Sequence, residues 1–190
     1  MSAETDRIAA LACRCVLRLG EPALPVNPLE MLKRCRGVYL HSQAAERMPE
    51  AVLGATVCSE KRREVLFDPR MPPDRLRLTM AHELGHVALR HDECTAREER
   101  EADFFARCLL VPPPLLDWLA ARTENLCAEE LAAVFGVPRS LARELTLPAP
   151  PVPKNLAEEL CCLLASAAER RMPTKKQPGW HLIKTNINND

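Results

Sequence analysis

Apolar positions near the start of the chain recur at helical spacing. Ile8, Leu11, Ala12, Cys15 and Val16 fall at i, i+3, i+4, i+7 and i+8, which predicts an amphipathic helix from Ala3 to about Leu19, ended by Gly20. Residues 21–26, with two prolines, read as a connector. Asn27-Pro28-Leu29-Glu30 has the grammar of a helix start: asparagine caps, proline suits the first helical position, and the glutamate can reach back to the cap. That short helix ends by Gly37. The pattern then changes. Val38-Tyr39-Leu40, Ala51–Val57 and Glu64–Phe67 are short apolar runs that predict a small three-stranded sheet. Ser59–Arg63 suits a hairpin loop, and Gln43–Glu50 an exposed loop.

Helical spacing returns at Pro72-Pro73-Asp74, which is expected to cap a helix running from about Asp74 to Arg90. Its buried stripe is Leu76, Met80, Leu84 and Val87. A loop from His91 to Thr95 leads into a helix over Ala96–Leu110, with Ala102, Phe105, Ala106 and Leu109 inward and Val111-Pro112-Pro113-Pro114 as its stop. Leu115–Arg122, Ala128–Phe135, Arg139–Leu145 and Leu156–Arg171 read as further helices, with a proline-rich linker over Leu147–Pro153. The expected fold is α+β and predominantly helical. One domain should cover residues 1–150, a helix 151–171, and a disordered polar tail 172–190.

Composition sharpens this picture. Apolar residues make up 47% of the 190 but aromatics only 4%, so the core must be built from Leu, Ala and Val. Basic and acidic residues balance at 26 each, which gives no electrostatic signature of a nucleic-acid binder. Nine cysteines without a C-x-x-C point to free thiols in a reducing compartment rather than a disulfide framework. Glu4, Asp6, Arg14 and Arg18 break up any signal-peptide pattern, and no apolar run approaches the roughly 18–20 residues of a membrane span. A soluble cytoplasmic protein is the expectation.

The candidate chemistry lies in His82-Glu83-Leu84-Gly85-His86, an H-E-x-x-H on a helix. Histidines four apart lie about 40° apart around the axis and about 6 Å apart along it, so both imidazoles can reach one metal ion. Glu83 projects beside them, where it can take a proton from water at that ion. Catalytic zinc wants a third protein ligand and an open fourth position. Asp92 stands ten residues after His82, where some proteases place their third ligand, but Leu89 replaces the glycine that would break the helix. His91 is off register for that pattern. His41 and His181 have no supporting context, and Cys94 is a conceivable extra ligand in the loop between the two helices. The acidic run Glu98-Glu99-Arg100-Glu101-Ala102-Asp103 remains. Two antiparallel helices joined by a short loop would set its first turns beside the histidines. Glu99 and Asp103 share a face, so Glu99 could bind and Asp103 could hold the Nδ1–H of a bound histidine, with Glu98 as the alternative to Glu99.

The string Ala81-His82-Glu83-Leu84-Gly85-His86-Val87-Ala88-Leu89-Arg90-His91, followed by Glu99, Ala102, Asp103, Phe105, Ala106, Leu109, Leu110 and Pro112, resembles the ImmA/IrrE family of metallopeptidases. The weaker likeness covers roughly residues 5 to 150. The resemblance implies a compact zincin of the gluzincin type, with His82, His86 and Glu99 on Zn2+, Glu83 as general base and Asp103 as the acid behind a histidine. It also implies a protein substrate, a helix-turn-helix repressor encoded nearby. No N-terminal DNA-binding domain is expected. Tyr39 and His91 are candidates to stabilise the oxyanion, and an edge strand, Ala51–Val57 or Glu64–Phe67, is expected to hold an extended substrate. Residues 115–147 contain a helix-turn-helix-like stretch around Gly136, but Arg139 and Arg143 are offset by Glu144 and no Asn or Gln accompanies them, so DNA reading is not expected. The competing class is a metal-binding regulatory protein that acts by protein contact or DNA binding with little peptidase activity.

Overall fold

The computed structural model describes residues 3–21, 23–42, 54–58, 62–93, 95–123, 126–145 and 147–172. The expected loop at Gln43–Glu50, Cys94, His181 and the expected tail beyond Met172 lie outside them. The described residues form helices α1 (Ala3–Leu19), α2 (Pro28–Lys33), α3 (Pro73–Leu89), α4 (Ala96–Leu110), α5 (Pro113–Ala120), α6 (Ala128–Phe135), α7 (Arg139–Glu144) and α8 (Lys154–Arg171), with strands β1 (Val38–Ser42), β2 (Gly54–Cys58) and β3 (Arg63–Phe67). The α+β, mainly helical expectation holds. None of these helices is long and apolar enough to cross a membrane.

Local signals act much as the residues dictate. The Asn27 side chain caps α2 by accepting from the Glu30 amide. Prolines shape two helix starts. The cap expected at Pro72-Pro73-Asp74 falls on Pro72, and Pro73, one residue before the expected start, begins α3. The proline run does stop α4, but Pro113 and Pro114 also form the first turn of α5, where the missing N–H has no helical partner to lose.

The sheet order is β1-β3-β2, with β1 parallel and β2 antiparallel to β3. The expected antiparallel pairing of β2 and β3 is formed, and residues 59–61 of the expected hairpin loop lie outside the described residues. Glu64–Phe67 is corrected from a possible edge to the centre of the sheet, because β1 returns to pair on its other side. The sheet sits on α3 through β2 and β3.

Helices α1, α3 and α4 pack together, and α8 closes the core against α1, α5 and α6. Ile8, Val16, Met31, Leu32, Phe105, Leu109, Leu115, Phe135 and Leu160 are all buried in that one core. The helix-turn-helix-like segment is built into it: Leu131, Val134, Phe135 and Leu141 are buried. Gly136 ends α6 in the left-handed conformation at φ 61°, and its carbonyl accepts from Arg77 of α3. Arg171 of α8 donates to the carbonyls of Val134 and Ala133, both at 2.6 Å. Two arginines from other helices thus satisfy the C-terminal carbonyls of α6, which a helix otherwise leaves open.

Cys13 and Cys108 are buried in this core, and burial pushes each thiol up to about 12. Both hold their protons through the range where an unfolded thiol has lost its own. Their contribution is therefore complete below about pH 9 and is lost as pH rises toward about 12, at up to about 1.4 kcal/mol per pH unit for each thiol. Urea melts at pH 8, 9 and 10 should show stability falling above pH 9, with a shallower fall in Cys13→Ala and Cys108→Ala.

Candidate active site

Helix α3 turns Met80, Ala81 and Leu84 into the core and leaves His82, Glu83 and His86 along a cleft. Gly85 sits where α3 meets α4. A Cβ there would lie 3.1 Å from both the Cα and the carbonyl oxygen of Ala102, and 3.2 Å from the Phe105 ring. Only a glycine opposite a small residue lets the two backbones come this close. The pairs His82–Asp103, Gly85–Ala102 and His86–Glu99 run in opposite directions along the two helices, so the expected antiparallel hairpin is formed.

The start of α4 separates the two candidate glutamates. Thr95 and Glu98 close a capping box: the Glu98 amide donates to Thr95 Oγ1 at 3.2 Å, and the Thr95 amide to Glu98 Oε2 at 3.1 Å. Glu98 is thereby committed to the helix end. Glu99, about 100° further round, faces the histidines. Its Oε2 lies 3.2 Å from His82 Nε2, its Oε1 lies 3.5 Å from His86 Nε2, and the two Nε2 atoms are 3.0 Å apart. Ligand atoms about 2.0–2.2 Å from one tetrahedral ion are separated by roughly 3.3–3.6 Å. The 3.5 Å separation lies in that range and the 3.2 and 3.0 Å separations fall just short of it, and the set offers two imidazole nitrogens and a carboxylate. His82, His86 and Glu99 can therefore hold a metal ion.

Asp103 Oδ1 lies 2.8 Å from His82 Nδ1. The expected partnership forms, although the carboxylate is not buried; its side chain is 64% exposed. Burial alone would pull His82 down, but the bond to Asp103 and the charges of Glu83, Asp103 and Glu99 hold it above its ordinary value. His86 Nδ1 meets the His91 ring rather than a carboxylate, at 3.1 Å. Burial, then the neighbouring His82, pull His86 down to about 4.

Glu83 is buried against β2. Alternation along the strand points Gly54 and Thr56 at α3. The Thr56 hydroxyl donates to Glu83 Oε2 at 2.5 Å, and a Cβ on Gly54 would come within 3.1 Å of Glu83 Oε1. Desolvation raises the Glu83 carboxyl above its usual range, with Thr56 opposing. Sequence reasoning missed both β2 residues. The period-two pattern could have placed them on one face, but not against this glutamate.

His91, in the expected loop, lines the cleft but has both ring nitrogens occupied. Arg90 ends α3 in the left-handed conformation at φ 61°, and its turn brings His91 back under the helix. His91 Nδ1 lies 3.1 Å from His86 Nδ1, and Nε2 lies 3.2 Å from Glu101 Oε2. Arg63 of β3 donates to the His91 carbonyl at 2.8 Å. Both ring nitrogens are engaged, which argues against an oxyanion role. The chain does break after Leu89 without a glycine, yet Asp92 goes to Arg63 at 2.9 Å rather than to the histidines. Tyr39 is half exposed on β1 and is not among the residues lining the cleft, and His41 sits 3.7 Å from Glu64 on the same side of the sheet. No sequence signal marked Glu101 or Arg63, because both act through the turn at Arg90.

The cleft encloses ≈ 530 Å3, with β2 from Gly54 to Cys58 along one wall and His82, Glu83, His86 and Glu99 among its other lining residues. The model of the IrrE N-terminal-like domain, Peptidase_M78, matches residues 35–145, which span β1 to α7 and include every residue of the cluster. No curated protein matches the chain.

Two outcomes follow from this geometry. Gly85→Ala gains about 1 kcal/mol of helix propensity, but its methyl meets backbone atoms that cannot retreat, at a cost of about 1–3 kcal/mol. A lower melting temperature is expected, and calorimetry checks it. Thr56→Val removes the one hydrogen bond that lowers Glu83, so carboxyl NMR of chelator-treated protein should show Glu83 titrating at higher pH than in the wild type.

Proposed function

The chain belongs to the Peptidase_M78 family of IrrE N-terminal-like (ImmA/IrrE) metallopeptidases, and on that premise we propose that it is a zinc-dependent endopeptidase of restricted specificity whose substrate is a helix-turn-helix transcriptional repressor. The observation that carries the reading is the placement of buried Glu83 beside the His82, His86 and Glu99 cluster, in a cleft walled by an edge strand.

His82, His86 and Glu99 would hold the zinc ion. When bound, it supplies Lewis acidity that polarises the scissile carbonyl and acidifies water. Glu83 then accepts the proton of the attacking water and delivers it to the leaving amine nitrogen. Its raised pKa suits both halves of that task, because a carboxylate that is too acidic takes a proton poorly. Thr56 fixes Oε2, which leaves Oε1 to face the water. Asp103 keeps the His82 proton on Nδ1 and so keeps Nε2 for the metal.

Among the described residues, strand β2 pairs with β3 on one side only, and all five of its residues line the cleft. A peptide added to its free edge as a further strand would pass over the cluster, held by main-chain hydrogen bonds. Gly54 keeps the space above Glu83 open for the scissile bond.

Purified protein loaded with zinc, incubated with the repressor encoded beside it, should cut at a single site. Glu83→Gln should keep its zinc and lose roughly 10²–10⁴-fold in rate. Zinc analysis should give about one ion per chain in the wild type and none in His82→Ala, in keeping with a three-ligand site. Cleavage undiminished in Glu83→Gln would place the activity elsewhere, and zinc-loaded protein that leaves the repressor intact would sink the substrate assignment.

A further inference from the structure

We propose that His91 is a positioning residue for the metal centre: backed by Glu101, it holds His86 in the tautomer and ring orientation that present Nε2 to a metal ion. The inference rests on the reading of His82, His86 and Glu99 as the ligands.

The argument follows the protons. His86 Nε2 faces His82 Nε2 and Glu99, so a lone pair at that atom requires the ring proton on Nδ1. The nearest partner for that proton is His91 Nδ1 at 3.1 Å, with the rings edge to face at an interplanar angle of 75°. Two ring nitrogens can hydrogen-bond only when one carries the proton and the other the lone pair. His91 Nδ1 must therefore accept, which puts the His91 proton on Nε2. That nitrogen lies 3.2 Å from Glu101 Oε2, an acceptor. The other Glu101 oxygen takes the Arg97 Nε–H at 2.6 Å. Each hydrogen bond along the row Arg97, Glu101, His91, His86 then joins one donor to one acceptor, and the row runs in one direction.

The backbone is committed to the same end. Arg90 adopts a conformation that side-chain-bearing residues rarely take, at φ 61°. Such residues persist where the surroundings over-determine them. Here the His91 amide donates to the His86 carbonyl at 3.0 Å, and Arg63 holds the His91 carbonyl from below. His82 and His86 are thus braced in different ways. His82 leans directly on an exposed aspartate, whereas His86 leans on a buried ring whose carboxylate is only 16% exposed.

Zinc affinity of the full chain, measured by competition with a chromophoric chelator, tests this. His91→Phe keeps the ring and the burial but offers no acceptor, and should bind zinc about 10–100-fold more weakly. Its cobalt-loaded form should show a shifted visible absorption band, because His86 is free to tilt. His91→Asn restores an acceptor toward His86 and should recover a large part of the loss. Wild-type affinity in His91→Phe, or no recovery in His91→Asn, overturns the inference. If His91→Phe does not fold, Glu101→Gln decides: several-fold weaker binding supports the relay, and unchanged affinity overturns it. A wild type that takes up no zinc would sink the ligand assignment and this inference together, whereas zinc held equally by wild type and His91→Phe sinks this inference alone.

Discussion

The site depends on how closely α3 and α4 approach each other. Gly85 against Ala102 lets the two backbones nearly touch, and that contact sets the register of everything on either side. One turn toward the loop it brings Glu99 to His86; in the other direction it brings Asp103 to His82. Without side-chain bulk at the crossing, carboxylates and imidazoles one turn apart meet at hydrogen-bond distance. A wider crossing would separate them by more than any shared ion could span. The buried faces of Phe105, Ala106 and Leu109 hold α4 down on the same side, so packing and chemistry ask for the same helix orientation.

The helical half of the molecule and most of the metal cluster were legible in the chain. Periodicity placed α1, α4 and α6 with the bounds they have, since their apolar stripes are complete and their ends carry Gly, Thr or Pro. The cluster was readable because helix geometry converts sequence spacing into direction: His82 with His86, and Glu99 with Asp103. The choice between Glu98 and Glu99 could not be read, since adjacent acidic residues differ only in which one the Thr95 cap consumes. What stayed hidden depends on distant pairing. Glu64–Phe67 looked like a possible edge because its partner β1 comes from the far side of a long connection. Thr56, Gly54, Arg63 and Glu101 acquire meaning only through contacts between residues 10 to 29 positions apart. The turn at Arg90 runs against local preference, so propensity pointed away from it.

Two strategies for holding polar groups coexist in this fold. Around the metal cluster, carboxylates are set against imidazoles so that each proton has one place. In the C-terminal half, arginines do the holding: Arg77 and Arg171 take carbonyls at the end of α6, and Arg107 pairs with the Glu144 carboxylate on α7. The helix-turn-helix-like stretch is therefore bound to α3, α4 and α8 by charge as well as by its buried Leu131, Phe135 and Leu141. A segment held from three sides serves as a buttress for the motif helix, since Arg77 belongs to α3 itself.

The edge that β2 leaves unpaired among the described residues has a consequence for what can be cut. A strand of five residues accepts only a partner that is itself extended, about 17 Å of chain at roughly 3.3 Å per residue. A helical segment is coiled to less than half that length and has its amides already bonded. On the reading proposed here, a repressor built of helices must first melt a short stretch before it fits. Selectivity would then reside partly in the target: the enzyme samples whichever linker or fraying helix end opens most often, and a signal that loosens that stretch would switch cleavage on without touching the protease.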